Sequence, residues 1–124
     1  MRKLVFAALA LLSILAHAEK ALVTPGLNAK AGDTISLENR AIFYIDRKCE
    51  LPIVNAKSMR HYVFYRGKNG PNEVGCWGAT IDDMVFTVAP RAEPFTAPLE
   101  VLLFADVDQN GTAKIIGKYS KSQK

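Results

Sequence analysis

Few side chains in this chain are of a type and spacing that could do chemistry. Two sets of carboxylates, Asp82-Asp83 and Asp106 with Asp108, could share general-acid and general-base duty in a small hydrolase. All four fall in stretches that read as turns, where Asp is common because its carboxylate accepts hydrogen bonds from nearby backbone amides. The run Asp106-Val107-Asp108-Gln109-Asn110-Gly111 also matches the first half of a calcium loop, in which oxygens of Asp106, Asp108 and Asn110 would converge on the ion. The second half fails: the ninth position is Lys114, and the twelfth is Gly117 where a bidentate Glu is needed. We read it as a solvated turn and expect no metal and no cofactor.

Nucleophilic and zinc chemistry have still less to work with. His17 belongs to a removable leader, so His61 is left as the single histidine, and no His-based triad or zinc ligand set can be assembled around it. It reads as a partly exposed strand residue. Ser36, Ser58, Ser120 and Ser122 all lie outside a Gly-x-Ser-x-Gly elbow. The expectation is a protein that is not an enzyme and acts through a surface.

The stretch Arg60-His61-Tyr62-Val63-Phe64-Tyr65-Arg66, followed by Lys68, interleaves cations with aromatics as single-strand nucleic-acid binders do. Charge argues otherwise. The chain has 16 basic and 12 acidic residues, and loss of Arg2 and Lys3 with the leader leaves 14 against 12, a net +2. That balance and export exclude nucleic acid as the expected partner. The aromatics then point inward from a strand while the arginines face solvent. The best candidate for a protein-binding surface is the irregular loop Gly67–Asn72 with its flanks: Arg60, Tyr62, Tyr65, Arg66, Lys68 and Asn69.

Arg2 and Lys3, the apolar run Leu4 to Leu15 and the small-x-small site Ala16-His17-Ala18 read as a secretory signal peptide cleaved after Ala18. The apolar run is shorter than the roughly 20 residues a spanning helix needs, so the expected product has no transmembrane segment and is periplasmic or secreted. In an oxidising compartment the two cysteines, Cys49 and Cys76, are most simply a structural disulfide. A loop of this size is worth about 3.5 kcal/mol in the chain-entropy picture.

The elements that position these residues read as short strands. Thr34 to Glu38 alternates polar and apolar, and Ala41 to Ile45 is apolar throughout, which suits a strand buried on both faces. Arg60 to Arg66 favours a strand, with a helix over residues 55–65 as the alternative. Glu73 to Gly78 and Met84 to Val88 continue a meander. Leu99 to Val107 and Thr112 to Tyr119 form a final hairpin through Asn110-Gly111. Residues 19–31, broken by Pro25-Gly26, read as a loose leader. Residues 90–98 carry Pro90, Pro94 and Pro98 and read as an extended crossover, neither helix nor ladder strand; residues 119–124 read as a frayed tail.

These elements predict one mainly antiparallel all-β domain over 19–124, a small disulfide-stapled sandwich or open barrel. Its expected core is Ile42, Phe43, Ile45, Val63, Trp77, Val85, Val88, Leu102, Phe104 and Ile115. We expect a monomer.

With Cys49 and Gly75-Cys76-Trp77, the chain resembles a group of small exported proteins from Gram-negative bacteria and their phages. They share a signal peptide, a strand entering a cysteine, a turn-rich link, then Gly-Cys-Trp and another apolar strand. The likeness covers about Ile42 to Val88 and implies export and a shared cysteine framework. It implies no activity and no site residue. The reading is therefore a non-enzymatic binding or structural module of the cell envelope with a protein partner. The alternatives are a periplasmic inhibitor of a lysozyme or protease, and an envelope hydrolase using the paired aspartates.

Overall fold

The computed structural model describes residues 18–25 and 29–119. The expected signal peptide, apart from Ala18, and the tail beyond Tyr119 lie outside the described residues. The strands are β1 (Glu19–Val23), β2 (Thr34–Ser36), β3 (Arg40–Lys48), β4 (Arg60–Tyr65), β5 (Glu73–Ala79), β6 (Met84–Val88), β7 (Thr96–Pro98), β8 (Leu103–Val107) and β9 (Thr112–Lys118). They join edge to edge in one nine-stranded sheet ordered β2-β9-β8-β1-β3-β4-β5-β6-β7, with every pairing antiparallel. The all-β expectation holds, and the architecture is an open sheet and not a closed barrel.

The sheet cannot be flat. β2 and β3 stand four strands apart in it, about 19 Å at the usual strand spacing, yet residues 37–39 alone connect them. β7 and β8 stand six apart, and residues 99–102 connect those. Both ends must therefore curl back. The alternation of side chains shows that they curl to opposite faces. Ala21, Val23, Ile42, Leu103 and Ala105 pack with Leu37 in one core. Leu22, Phe43 and Tyr62 pack with Trp77, Leu99 and Leu102 in the other. The result is an S-shaped section in which β1, β3 and β8 supply both cores.

The central place of β1 corrects the expectation of a loose leader. Ala21, Leu22 and Val23 are fully buried, and Glu19–Val23 pairs along its length with β8 on one side while Ala21–Val23 pairs with β3 on the other. A second correction concerns the proline-spaced crossover. Thr96–Pro98 is a ladder strand paired with β6, tolerated because β7 is the sheet's edge, where a missing amide donor leaves no neighbour unpaired. Over residues 55–65 the strand prevails, and helix is limited to a 3₁₀ turn at Ala56–Ser58. Among the expected core residues, Val88 is 39% exposed, and it is Phe86 that packs in the cluster formed by the 49–59 link.

The disulfide joins Cys49 to Cys76, with Cα atoms 5.2 Å apart. Its neighbours are Met59, Leu51, Ile53, Ala56 and Phe86, so the bridge pins the irregular 49–59 link over β5 and makes a third, smaller core.

Candidate functional site

Curling of the second half of the sheet leaves a mouth at one end. Leu22 of β1, Ile45 of β3, Arg60 of β4 and Trp77 of β5 line a cleft of about 290 Å³, completed by Ala79, Leu99 and Tyr119. Openings of curled sheets are a common place for ligand sites, because the strands hold the walls rigid and leave the ends free. The wall residues come from distant parts of the chain.

A bulge shapes this mouth. The β3–β4 ladder slips between Phe43, opposite Tyr62, and Lys48, opposite Arg60, so five steps along β3 match two along β4. The extra residues leave Tyr44 without a partner in β4, and the Trp77 indole Nε1–H donates to its carbonyl at 2.9 Å. This bond fixes the ring. Phe43 meets it edge-on at 5.7 Å, and the Arg60 guanidinium lies over its outer face, 5.6 Å from the centroid. Bulges re-aim side chains beside functional sites, and here the bulge carries Ile45 to the cleft wall.

On the opposite face, the same bulge builds a polar cluster. Arg47 donates to both Glu19 carboxylate oxygens, from Nε at 3.0 Å and from a terminal nitrogen at 2.6 Å, while its guanidinium covers the Tyr44 ring at 4.6 Å. The Tyr44 ring in turn lies 5.4 Å from His61. Burial, and then the positive charge of Arg47, hold the His61 imidazole below its ordinary 6.5, against weaker opposing pulls from Glu50 and Glu19. Burial pushes the Tyr44 phenol up.

A pH dependence follows. His61 binds its proton less readily in the folded chain than in the unfolded one. Its contribution to stability is therefore complete above about 6.5 and is lost as pH falls from there through the folded value. Asp108 acts in a lower window. The Thr112 hydroxyl and the Thr112 and Asn110 amides hold its carboxyl below 3.8, so its contribution is present above that value and disappears on further acidification. Urea titrations at a series of pH values should show both losses. His61→Phe should remove the first and leave the second; an unchanged slope between pH 7 and 5 in that variant would contradict the assignment.

The surface expected from the sequence is dispersed. Tyr62 is buried in the second core beside Phe43, at 5.2 Å between ring centroids, while Tyr65 points to the opposite face and packs on the first core. Arg60 stands at the mouth, at the opposite end of β4 from Arg66. Arg66, Lys68 and Asn69 do stay together on a well-tied loop. The Arg66 amide donates to Asn72 Oδ1 at 2.9 Å, the Lys68 amide to Glu38 Oε2 at 3.1 Å, and the Asn69 amide to the Arg66 carbonyl at 2.9 Å. The Arg66 guanidinium covers Phe64 at 5.0 Å.

Asp106 and Asp108 are engaged in bonds of their own. Asp106 accepts from Lys20 Nζ at 2.7 Å. Asp108 caps the β8–β9 turn through its bonds from Asn110 and Thr112. Asp82 and Asp83 sit at the β5–β6 turn, where Asp83 takes a φ of 61°. Together with Glu100, which the sequence did not single out, they line a second depression of about 480 Å³ that shares Leu99 and Tyr119 with the mouth. Among the described residues no group of three or more His, Cys, Asp or Glu side chains is placed to hold a metal ion. None of their helices is long and apolar enough to cross a membrane.

Sequence reasoning placed Arg60 on a surface around the 67–72 loop and Trp77 in the core, and did not foresee the mouth. Leu22, Ile45, Leu99 and Tyr119 carry no local signal, since only the sheet order brings them together. Comparison of the chain with protein-family models, curated protein sequences and solved structures finds no match in any of the three.

Proposed function

We propose that this is an exported, non-catalytic binding module of the cell envelope whose binding face is the mouth around Trp77. Export rests on the signal-peptide pattern of residues 1–18, and the Cys49–Cys76 disulfide suits an oxidising compartment. The observation that carries the binding reading is a buried indole clamped by a bulge carbonyl at the base of an open cleft. A ring held in one orientation before the ligand arrives loses little entropy on binding.

Amide shift mapping tests this reading. Envelope small-molecule extract added to the labelled protein should move the amide signals of Leu22, Ile45, Gly78 and Ala79 together. Ala79→Phe, which fills the cleft, should abolish the movement. Shifts that persist in Ala79→Phe would end the proposal.

One observation favours the inhibitor reading as a second choice: the tied loop at 66–72 presents Arg66 and Lys68 in a fixed shape, as inhibitors of hydrolases do. In that case added lysozyme or protease would move the 66–72 signals and leave the mouth unchanged.

A further inference from the structure

We infer that the mouth takes a small amphiphilic carboxylate, with the acid group at Arg60 and Lys48 and the aliphatic body against Trp77. This rests on the binding reading above and adds the chemical class of the occupant. Its structural basis is a juxtaposition of like charges beside an apolar concavity. Lys48 and Arg60 are directly opposed in the β3–β4 ladder, and both are exposed. Like charges in directly opposed positions destabilise a sheet. Elsewhere in this sheet the arrangement is complementary: Arg47 reaches Glu19, and Lys20 reaches Asp106. Among the described residues neither Lys48 nor Arg60 has a carboxylate partner, and Arg60 lies on an indole face instead. An anion bound between them would relieve the repulsion, and the planar guanidinium suits a carboxylate in two-point contact.

Size narrows the class. The cleft of about 290 Å³ matches the liquid volume of roughly ten waters, so an occupant has on the order of ten non-hydrogen atoms. Leu22, Ile45, Trp77 and Leu99 offer that body an apolar wall. A medium-chain fatty acid fits both requirements. Acetate would satisfy the charge and leave the wall bare. A longer chain would extend past the rim.

The test uses octanoate as the probe, read by amide shifts of Ile45, Gly78 and Ala79 in the purified protein. Octanol and octylammonium serve as neutral and cationic counterparts. Octanoate should bind saturably and at least about tenfold more tightly than octanol, the difference expected of one charge-assisted hydrogen bond. Raising the salt from about 0.05 to about 0.5 M should narrow that gap. Arg60→Gln, at an exposed position, should bring octanoate down to the octanol level, and Lys48→Gln should weaken it by a smaller factor. Octanol or octylammonium binding as tightly as octanoate would overturn the inference while leaving the mouth as a binding face. So would unchanged octanoate affinity in Arg60→Gln. A free-acid peptide ending in leucine that moves these signals where octanoate does not would also overturn it, by assigning the carboxylate to a partner's chain end. If octanoate fails and the extract still moves the mouth signals, the inference falls and the binding reading stands. If Ala79→Phe leaves the extract's effect unchanged, the binding reading falls as well.

Discussion

Leu22→Ala should lower the stability of the protein by about 2–5 kcal/mol, a large part of the roughly 5–15 kcal/mol that a domain of this size possesses. Leu22 is 1% exposed, sits between Phe43 of β3 and Phe104 of β8 as their ladder partner, and belongs to the second core. Truncation leaves a cavity that flanking strands, paired on both sides, cannot close. Lys20→Ala, in the same strand but exposed and holding only the surface pair with Asp106, should cost about 1 kcal/mol or less. Urea denaturation followed by Trp77 fluorescence measures both. A Leu22→Ala midpoint indistinguishable from that of Lys20→Ala would mean that β1 is not a central strand of the sheet.

Loss of the disulfide should be comparable in size. Cys49→Ala with Cys76→Ala removes a crosslink between residues 27 apart, worth about 3.5 kcal/mol through the entropy of the unfolded chain. Part of the effect is local. The bridge presses the 49–59 link onto β5, where Met59 and Cys76 are buried and the Cys49 amide donates to the Met59 carbonyl at 3.0 Å. The double variant should therefore lose hydrogen-exchange protection first at the amide of position 49, while β3 and β8 keep theirs. Wild-type protein treated with reductant should denature at the midpoint of the variant. An oxidised wild type no more stable than the double variant would leave the crosslink without a stabilising role.

Local residue patterns revealed those parts of the fold whose cause is local. The apolar β-branched and aromatic run of β3, the aromatic run of β4 and the Asn110-Gly111 turn of the last hairpin each specify their own conformation, and each appears where expected. β1 was hidden for a different reason. Ala21-Leu22-Val23 is too short to announce a strand beside Pro25-Gly26, and its burial comes from β8, more than eighty residues later. β7 was hidden by its prolines, which exclude a central strand and permit an edge. The disulfide was legible because the leader-like pattern of the first residues led to the expectation of an oxidising compartment, where two cysteines most simply pair. The mouth was largely illegible, since the bulge that leaves Tyr44 without a partner in β4 depends on how β3 and β4 count against each other, and single-strand patterns contain no such information.

Leu22 and Val23 are consecutive in the chain and root in different cores, as do Ile42 and Phe43. The two lobes of the S consequently have no separate existence. Any fluctuation that frees one must tear β1, β3 or β8 out from under the other, so the molecule melts as a unit and damage to either side is felt by both. For a protein of this length, that shared backbone converts two small hydrophobic clusters, each too slight to fold alone, into a single cooperative body.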